Sequence, residues 1–265
     1  MAVVPPKIEQ YHFYQPADDR LPRCPLRMIV AGPSGSGKTV LLTSMITQLY
    51  RRKNGDSVWN RIFVFSPSVH VDPSWRVVGS YIEHNLKVDV AREPWAFDTW
   101  DQVALQNIVA TQRRVTEISQ SRGQKRMYQI LVVLDDLADN PRASRNDQLL
   151  HSLFTRGRHI GCSTICSVQR YKALSPIIRV NCVSLCVYRL RSDEELQTIV
   201  DEVSGVMPKK EIIELFRRAT SEPYSFLYIN LAARTPDEMF WQGFDHRILT
   251  GAPSGASGAP LRASS

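Results

Sequence analysis

The amino-acid sequence predicts an α/β fold in which helices cover both faces of a mostly parallel β-sheet. Two observations lead to this prediction. Short apolar segments typical of buried strands alternate along the chain with longer amphipathic segments typical of helices. In addition, a glycine-rich segment at residues 32–39 lies between one of these strands and the helix that follows it, and a phosphate-binding loop occupies this position in such folds.

The first part of the chain contains the strand and the helix that flank this loop. Residues 26–31 (LRMIVA) form a short apolar segment and predict a buried strand. Residues 39–52 carry leucine, isoleucine and methionine at helical spacing, and they predict a helix that ends before Asn54-Gly55. Residues 61–66 (RIFVFS) predict the next strand.

The middle of the chain is less regular. Residues 67–95 show no clear period, so we expect irregular structure there, with a short strand near residues 86–90. Residues 99–121 predict a long helix with a polar face. Residues 129–134 (QILVVL) predict a buried strand that ends in two acidic residues.

The second half of the chain continues the alternation of helices and strands. The predicted elements are a helix at residues 145–158, strands at 163–168 and 182–188, helices at 192–203 and 209–220, a strand at 225–231 and a short helix at 236–240.

The length of 265 residues and the hydrophobic content of 43% fit one folded domain, which we assign to residues 26–249. Residues 1–25 are rich in proline and turn residues and predict an extended arm. Residues 250–265 are rich in Gly, Ala, Ser and Pro, which is typical of a disordered tail.

No apolar run of about 18 residues occurs, so we expect no membrane span and no membrane partner. The five cysteines form no disulfide-scaffold pattern, which favours an intracellular location.

Positive charge is concentrated in one part of the chain. The net charge is +7, yet residues 142–191 contain nine basic residues and one acidic residue, Asp147. A second basic group comprises Arg113, Arg114, Arg122, Lys125 and Arg126. A localised basic surface favours a polyanionic partner such as nucleic acid. A solvated face, or arginines that serve a nucleotide site or subunit contacts, would give the same pattern.

The glycine-rich segment at residues 32–39 matches the phosphate-loop motif G-x-x-x-x-G-K-[ST] in full. Its glycines let successive backbone N–H groups point at an anion, and the helix N-terminus adds its positive dipole end. We predict that Lys38 reaches the β- and γ-phosphates and that the Thr39 hydroxyl binds Mg²⁺. The predicted nucleotide-binding residues are Gly32, Pro33, Ser34, Gly35, Ser36, Gly37, Lys38 and Thr39.

The acidic pair after the strand at residues 129–134 forms a second candidate site. The strand end would bring Asp135 to the Mg²⁺ that Thr39 holds. Asp136 would then lie beside the γ-phosphate, where it could orient and polarise an attacking water. The alternative interpretation of the pair is a helix N-cap.

A glutamine and two arginines complete the set of candidate catalytic residues. Gln169 follows the strand at residues 163–168, where its amide could contact the water or the γ-phosphate. Arg156 and Arg158 lie in a glycine-containing turn that suits an arginine finger, which would reach the nucleotide of a neighbouring subunit. Taken separately, the residues favour a simpler interpretation, with Gln169 as a surface cap and Arg158 as a helix-terminal cation.

In combination, these motifs resemble the FtsK/HerA superfamily of ring-forming, DNA-pumping ATPases. The order is the phosphate loop, Val132 to Asp136, Arg158-x-x-Gly161, and then Gln169. Three features are closer to the poxvirus-type genome-packaging ATPases of large DNA viruses and related mobile elements, namely Asp135-Asp136, Arg158-His159 and the segment 178–181. The resemblance covers residues 26–231. Asp136 stands where the wider superfamily has Glu, which leaves the identity of the catalytic base open.

The resemblance implies a RecA-like P-loop ATPase core, a homo-oligomeric ring and ATP hydrolysis coupled to translocation of double-stranded DNA. It further implies genome packaging with a capsid protein as partner, in the host cytoplasm or nucleus or in association with the virion. Carried over by position, Lys38 and Thr39 bind phosphate and Mg²⁺, Asp135 binds Mg²⁺, Asp136 activates water, Gln169 senses the γ-phosphate, and Arg158 is the first candidate for the finger with Arg156 second.

Other functional classes have weaker support. The sequence contains neither the Asn-Lys-x-Asp motif of a GTPase nor the Leu-Ser-Gly-Gly-Gln motif of an ABC-type ATPase. The motifs leave open a P-loop small-molecule kinase or an ATPase that remodels something other than DNA. The pairs Cys162/Cys166 and Cys182/Cys186 do not favour zinc, because residues i and i+4 on a strand are about 13 Å apart. We therefore expect core cysteines.

Overall fold

The structure, a computed structural model, describes residues 11–136 and 148–248. Nine strands occur in these residues: β1 (Arg27–Ala31), β2 (Arg61–Phe65), β3 (Ala96–Phe97), β4 (Ile130–Asp135), β5 (Cys162–Val168), β6 (Ser184–Tyr188), β7 (Phe226–Asn230), β8 (Phe240–Gln242) and β9 (His246–Arg247). The α-helices of the same residues are α1 (Lys38–Ser44), α2 (Pro73–His84), α3 (Gln102–Ser121), α4 (Gln148–Arg156), α5 (Pro176–Asn181), α6 (Asp193–Val203) and α7 (Lys209–Ala219).

All nine strands belong to one sheet, in the order β3-β2-β4-β5-β1-β6-β7-β8-β9. The strands from β3 to β6 in this order pair in parallel. By contrast, β7, β8 and β9 extend the sheet in antiparallel pairs. The six parallel strands therefore end at one edge, which we call the carboxyl edge, and start at the opposite edge, which we call the amino edge.

Helices cover both faces of this sheet. Apolar residues of α3 to α7 pack on one face, where Ile29 of β1 also lies. On the other face, residues of α1 and α2 pack around Met28 and Val30 of β1. The alternation along β1 follows from the two-residue period of a strand. Burial of each Val, Leu or Ile side chain stabilises the folded state by about 1.5–3 kcal/mol. These two cores therefore hold the loops at the strand ends in place. The predicted α/β class is confirmed.

The prediction for residues 67–95 is wrong, because α2 lies within them. The Asp72 side chain caps this helix by accepting a hydrogen bond from Ser74 N, and Pro73 occupies its first turn. Trp75, Val78, Tyr81 and Ile82 form its buried face. No strand occurs at residues 86–90, and the short strand of this region is β3 instead.

Several other boundaries differ from the prediction. The first helix is shorter, because α1 continues into a π-helical turn at Met45–Leu49. The predicted helix at residues 145–158 begins outside the described residues, and α4 is followed by a 3₁₀ turn at Gly157–Ile160. The predicted helix at residues 236–240 is a 3₁₀ turn at Pro236–Glu238 that leads directly into β8.

The described part of the predicted arm packs against the domain. Leu21 and Cys24 are buried in the core with the α1 and α2 side chains. The Tyr14 ring lies 4.0 Å from the Arg52 guanidinium and 4.9 Å from that of Arg126. The remaining ten residues of the arm, the first three residues of the predicted helix at 145–158 and the predicted tail at 250–265 lie outside the described residues.

No helix within residues 11–136 and 148–248 combines the length and the apolar character that crossing a bilayer requires. All five cysteines are buried, and Cys162, Cys166 and Cys186 lie on strands of the sheet, as expected for core cysteines.

Candidate active site

The glycine-rich loop connects β1 to α1 at the carboxyl edge of the sheet. Gly35 and Gly37 have φ angles of 77° and 99°, in the left-handed region that glycine adopts without strain. A Cβ atom on Gly32 would lie 2.7 Å from Tyr188 Cβ and 2.8 Å from Ser36 Oγ. The folded loop therefore requires glycine at these three positions.

Lys38 begins α1 and is only 6% exposed. Its ammonium donates hydrogen bonds to the carbonyl oxygens of Gly32, at 2.9 Å, and Pro33, at 3.1 Å. Burial lowers the pKa of Lys38, while the negative charges of Asp136 and Asp135 oppose that shift. The ammonium is thus fixed across the loop, within electrostatic range of both acids.

Asp135 is the last residue of β4 and is 3% exposed. Its Oδ2 accepts a hydrogen bond from Ser66 Oγ at 3.1 Å. Burial raises the pKa of the Asp135 carboxyl. The hydroxyls of Ser167 and Ser66 lower it, as does the positive charge of Lys38. The negative charge of Asp136 raises it further. A cation bound beside Asp135 would favour the ionised carboxylate.

Asp136 lies next to Gln169, although 33 residues separate them in the sequence. Gln169 Nε2 donates a hydrogen bond of 3.0 Å to Asp136 Oδ2. The Asp136 backbone has φ 52°, a conformation that Asp tolerates better than most residues, and its N–H donates to Ser167 O at 3.1 Å. Asp136 Oδ1 is buried and has no hydrogen-bond partner among the described residues. A buried acceptor of this kind suits a water molecule or a hydroxyl donor.

The residues at this edge fit a magnesium ion. Mg²⁺ binds proteins through one or two carboxylates together with hydroxyls, waters and substrate phosphates. Asp135 supplies a buried carboxylate, and Thr39 supplies a hydroxyl in the first turn of α1. In residues 11–136 and 148–248, no three His, Cys, Asp or Glu side chains cluster closely enough to hold a metal on their own.

Arg156 and Arg158 lie at the other end of the sheet. Arg156 ends α4 and Arg158 belongs to the 3₁₀ turn that precedes β5, whereas Gln169 follows the carboxyl end of β5. The seven residues of β5 span about 20 Å. Both arginines are exposed, and neither forms an ion pair within the described part of the chain. The structure does not bring them to the phosphate loop of their own chain.

Sequence reasoning missed two residues of this site. Ser66, which donates to Asp135, is the first polar residue after β2, and that position is the signal that could have identified it. Tyr188 ends β6, and its hydroxyl donates to Gly37 O at 3.3 Å, which ties the loop to the neighbouring strand. No local motif marks Tyr188.

The chain is similar in sequence to proteins of known families. The family described as "Poxvirus A32 protein" matches residues 12–231. DNA packaging protein OPG160 of Monkeypox virus is 25% identical over 199 residues, which cover 74% of this chain and 58% of that protein. DNA translocase FtsK of Streptococcus pyogenes is 24% identical over 198 residues, which cover 66% of this chain and 24% of that protein. The chain thus spans less than two thirds of the length of either relative.

A solved structure shares the fold. The genome packaging NTPase B204 from Sulfolobus turreted icosahedral virus 2, in complex with AMP, matches with a TM-score of 0.51 at 14% identity. The match covers 80% of this chain and 95% of that chain. It confirms the predicted P-loop α/β fold class. The family match and the similarity to FtsK confirm the predicted resemblance to the poxvirus-type branch of the FtsK/HerA ATPases.

Proposed function

The chain belongs to the poxvirus A32 protein family, and from this membership we propose that it is an ATPase that translocates double-stranded DNA during packaging of a viral genome. The observation that carries the proposal is the arrangement at the carboxyl edge. There the phosphate loop, the buried Asp135 and the hydrogen-bonded pair of Asp136 and Gln169 lie at the ends of adjacent strands.

In the proposed mechanism, the loop amides and the Lys38 ammonium bind the β- and γ-phosphates of ATP. Lys38 would exchange the two carbonyl oxygens that it now contacts for phosphate oxygens. Thr39 and Asp135 would hold Mg²⁺, which would neutralise charge on the phosphates. Gln169 fixes the Asp136 carboxylate through Oδ2, which leaves Oδ1 to accept the proton of the attacking water.

We propose that the protein works as a homo-oligomeric ring in which Arg158, or Arg156 in second place, reaches the nucleotide of the next subunit. Both side chains are exposed at the amino edge, about 20 Å from the loop of their own chain. A finger supplied by a neighbour would neutralise the charge that develops on the γ-phosphate. Hydrolysis would then depend on assembly.

The proposed DNA contacts are to the backbone, without sequence specificity, because a translocase has to move along every sequence. Of the predicted basic residues, Lys172 and Arg179 pair with Glu194 and Glu202. Within residues 148–191, the exposed cations without an ion pair among the described residues are Arg156, Arg158, Arg170, Arg189 and Arg191. We further expect a capsid protein as partner and activity in the cytoplasm or nucleus of the infected cell or at the virion.

The test is ATP hydrolysis by the full chain with and without long double-stranded DNA. We expect DNA to stimulate hydrolysis, and Lys38→Ala to reduce it to background because the triphosphate loses its main cation. Lys210→Ala, which removes an exposed lysine of α7, is the matched control and should behave as the wild type. Hydrolysis that does not respond to DNA would instead favour a small-molecule kinase or a remodelling ATPase with another substrate.

A further inference from the structure

A cavity of about 610 Å³ lies directly beside the phosphate loop. Three segments line it: residues 33–36 of the loop, residues 188–191 at the carboxyl end of β6, and residues 220–225 before β7. Its volume lies in the range of small-molecule sites. Because β7 runs antiparallel to β6, the start of β7 meets the end of β6 at the carboxyl edge. The cavity is therefore a product of the sheet topology.

The strand order indicates which half of a nucleotide this cavity would face. β1, which leads into the phosphate loop, lies between β5 and β6. Asp135, Asp136 and Gln169 follow β4 and β5, so the γ-phosphate belongs on the β5 side of the loop. The nucleoside is at the opposite end of the triphosphate, and it belongs on the β6 side. The cavity is on that side.

Tyr224 contributes an aromatic ring to the cavity wall, and this ring is largely exposed to solvent. It is 73% exposed, although it contacts the loop: a Cβ atom on Gly37 would lie 3.4 Å from Tyr224 Cδ1. Its φ angle is 62°, which is rare and costly for a bulky side chain and is found mainly where function requires it. An exposed ring held beside a phosphate loop is suited to stacking on a nucleobase, since every base has a π-face.

The charges around the cavity also fit a nucleotide. Arg189 and Arg191 line it, both are exposed, and neither has an ion-pair partner among the described residues. Glu222 is the acidic side chain of the same lining. Two guanidinium groups next to the phosphate loop favour an anionic ligand, and a guanidinium plane can also lie against a base or a ribose.

We propose that this cavity binds the nucleoside half of ATP, with the base stacked on Tyr224. The inference rests on the proposed function in one respect, because it requires a triphosphate on the loop at residues 32–39. It goes beyond that function by assigning base recognition to the segment 220–225, for which the sequence offered no motif.

The experiment compares two ligands by isothermal titration calorimetry on the full chain: ATP, which has a base, and inorganic tripolyphosphate, which has none. We expect Tyr224→Ala to weaken ATP binding by about 5- to 100-fold, the usual range for loss of one base stack, and to leave tripolyphosphate binding unchanged. Tyr224→Phe keeps the ring and should restore most of the lost affinity. Tyr128→Ala removes an exposed tyrosine before β4 and serves as the matched control.

Two results would overturn the proposal. Equal weakening of both ligands by Tyr224→Ala would mean that the ring only shapes the loop through Gly37, and unchanged ATP affinity would mean that the base binds elsewhere. The titration contains no DNA and therefore does not depend on DNA translocation. If the wild type binds ATP in the titration but its hydrolysis does not respond to DNA, only the proposed function is contradicted. A wild type that binds neither ligand contradicts both.

Discussion

The candidate catalytic residues at the carboxyl and amino edges of the sheet are held in different ways. At the carboxyl edge, Lys38 is hydrogen-bonded to the loop, Asp135 to Ser66, and Asp136 to Gln169. At the amino edge, Arg156 and Arg158 are exposed and have no ion-pair partner in the described residues. The first group is held by hydrogen bonds before any ligand binds, whereas no ion pair among the described residues holds the second.

This difference bears on how the site works. Groups that are fixed in advance lose little entropy when substrate binds, so the proposed catalytic residues of the carboxyl edge need little rearrangement within their own chain. An arginine about 20 Å away from that edge can act only on a molecule outside its own chain. If hydrolysis requires an arginine finger, a single chain holds an incomplete site, and this is the physical reason for the proposed ring.

The largest effect in this comparison is expected for Arg158→Ala. Loss of an arginine finger reduces hydrolysis by about 10³-fold or more, while ATP affinity should change little because Arg158 does not reach the loop of its own chain. Steady-state hydrolysis and ATP titration on the same preparation separate the two quantities. Arg156→Ala is the paired variant, and a larger loss there would exchange the roles of the two arginines.

Mixing variants shows directly whether the finger acts between chains. An inactive Arg158→Ala chain contributes an intact loop, and an inactive Lys38→Ala chain contributes an intact arginine. A mixture of the two should recover part of the wild-type rate, since some interfaces then contain both residues. No recovery at any ratio, with assembly verified by light scattering, would contradict the proposal that Arg158 acts in trans.

The next largest effect is expected within the carboxyl edge, for Asp136→Asn. An amide cannot take the proton of the attacking water, so hydrolysis should fall by about 10²-fold or more with little change in ATP binding. Gln169→Ala frees Asp136 Oδ2 and should cost less, about 10-fold, because the carboxylate is kept but loses its orientation.

The double variant distinguishes a shared role from two separate roles. If Gln169 acts by holding Asp136, removing it from an Asp136→Asn chain should add little further loss. Multiplied losses in the double variant would mean that Gln169 contacts the substrate independently of Asp136. Single-turnover rates at saturating ATP are the appropriate measurement, because they exclude changes in binding and in product release.

Much of the fold was predictable from the sequence because the parallel strands are short, apolar and buried on both faces. The helix α2 was missed for a tertiary reason. Gly79 weakens its helical pattern, yet a Cβ atom there would lie 2.8 Å from the Trp95 ring, so glycine is needed for packing. The strands β8 and β9 have three and two residues, which is too short for a period to be visible.

The residues of the candidate site likewise fall into those that a local motif predicts and those that depend on tertiary structure. The loop at residues 32–39 and the acids after β4 are continuous motifs, so the sequence predicts them. Gln169 was predicted from its position after a strand and from the family resemblance, and the strand order β4-β5 then places it beside Asp136. Ser66 lies beside Asp135 because β2 and β4 are neighbours in the sheet. Tyr224 lies beside the phosphate loop because β7 runs antiparallel to β6. Neither the strand order nor the strand direction is encoded in a local pattern.

The smallest effect tests whether the two edges are independent. Gln129 precedes β4 at the amino edge and is fully buried, and its Nε2 donates to the carbonyl oxygens of Tyr14 and Val58. Gln129→Ala leaves both carbonyls without this donor, so we expect the free energy of unfolding to fall by about 1–3 kcal/mol in urea denaturation. Gln124→Ala, at an exposed position nearby, should have no measurable effect on the free energy of unfolding.

Hydrolysis per folded Gln129→Ala molecule should remain at the wild-type rate, because the carboxyl edge does not depend on this contact. A fall in that rate without a loss of stability would mean that the amino edge sets the geometry of the phosphate loop, and the two edges would then have to be treated as one site.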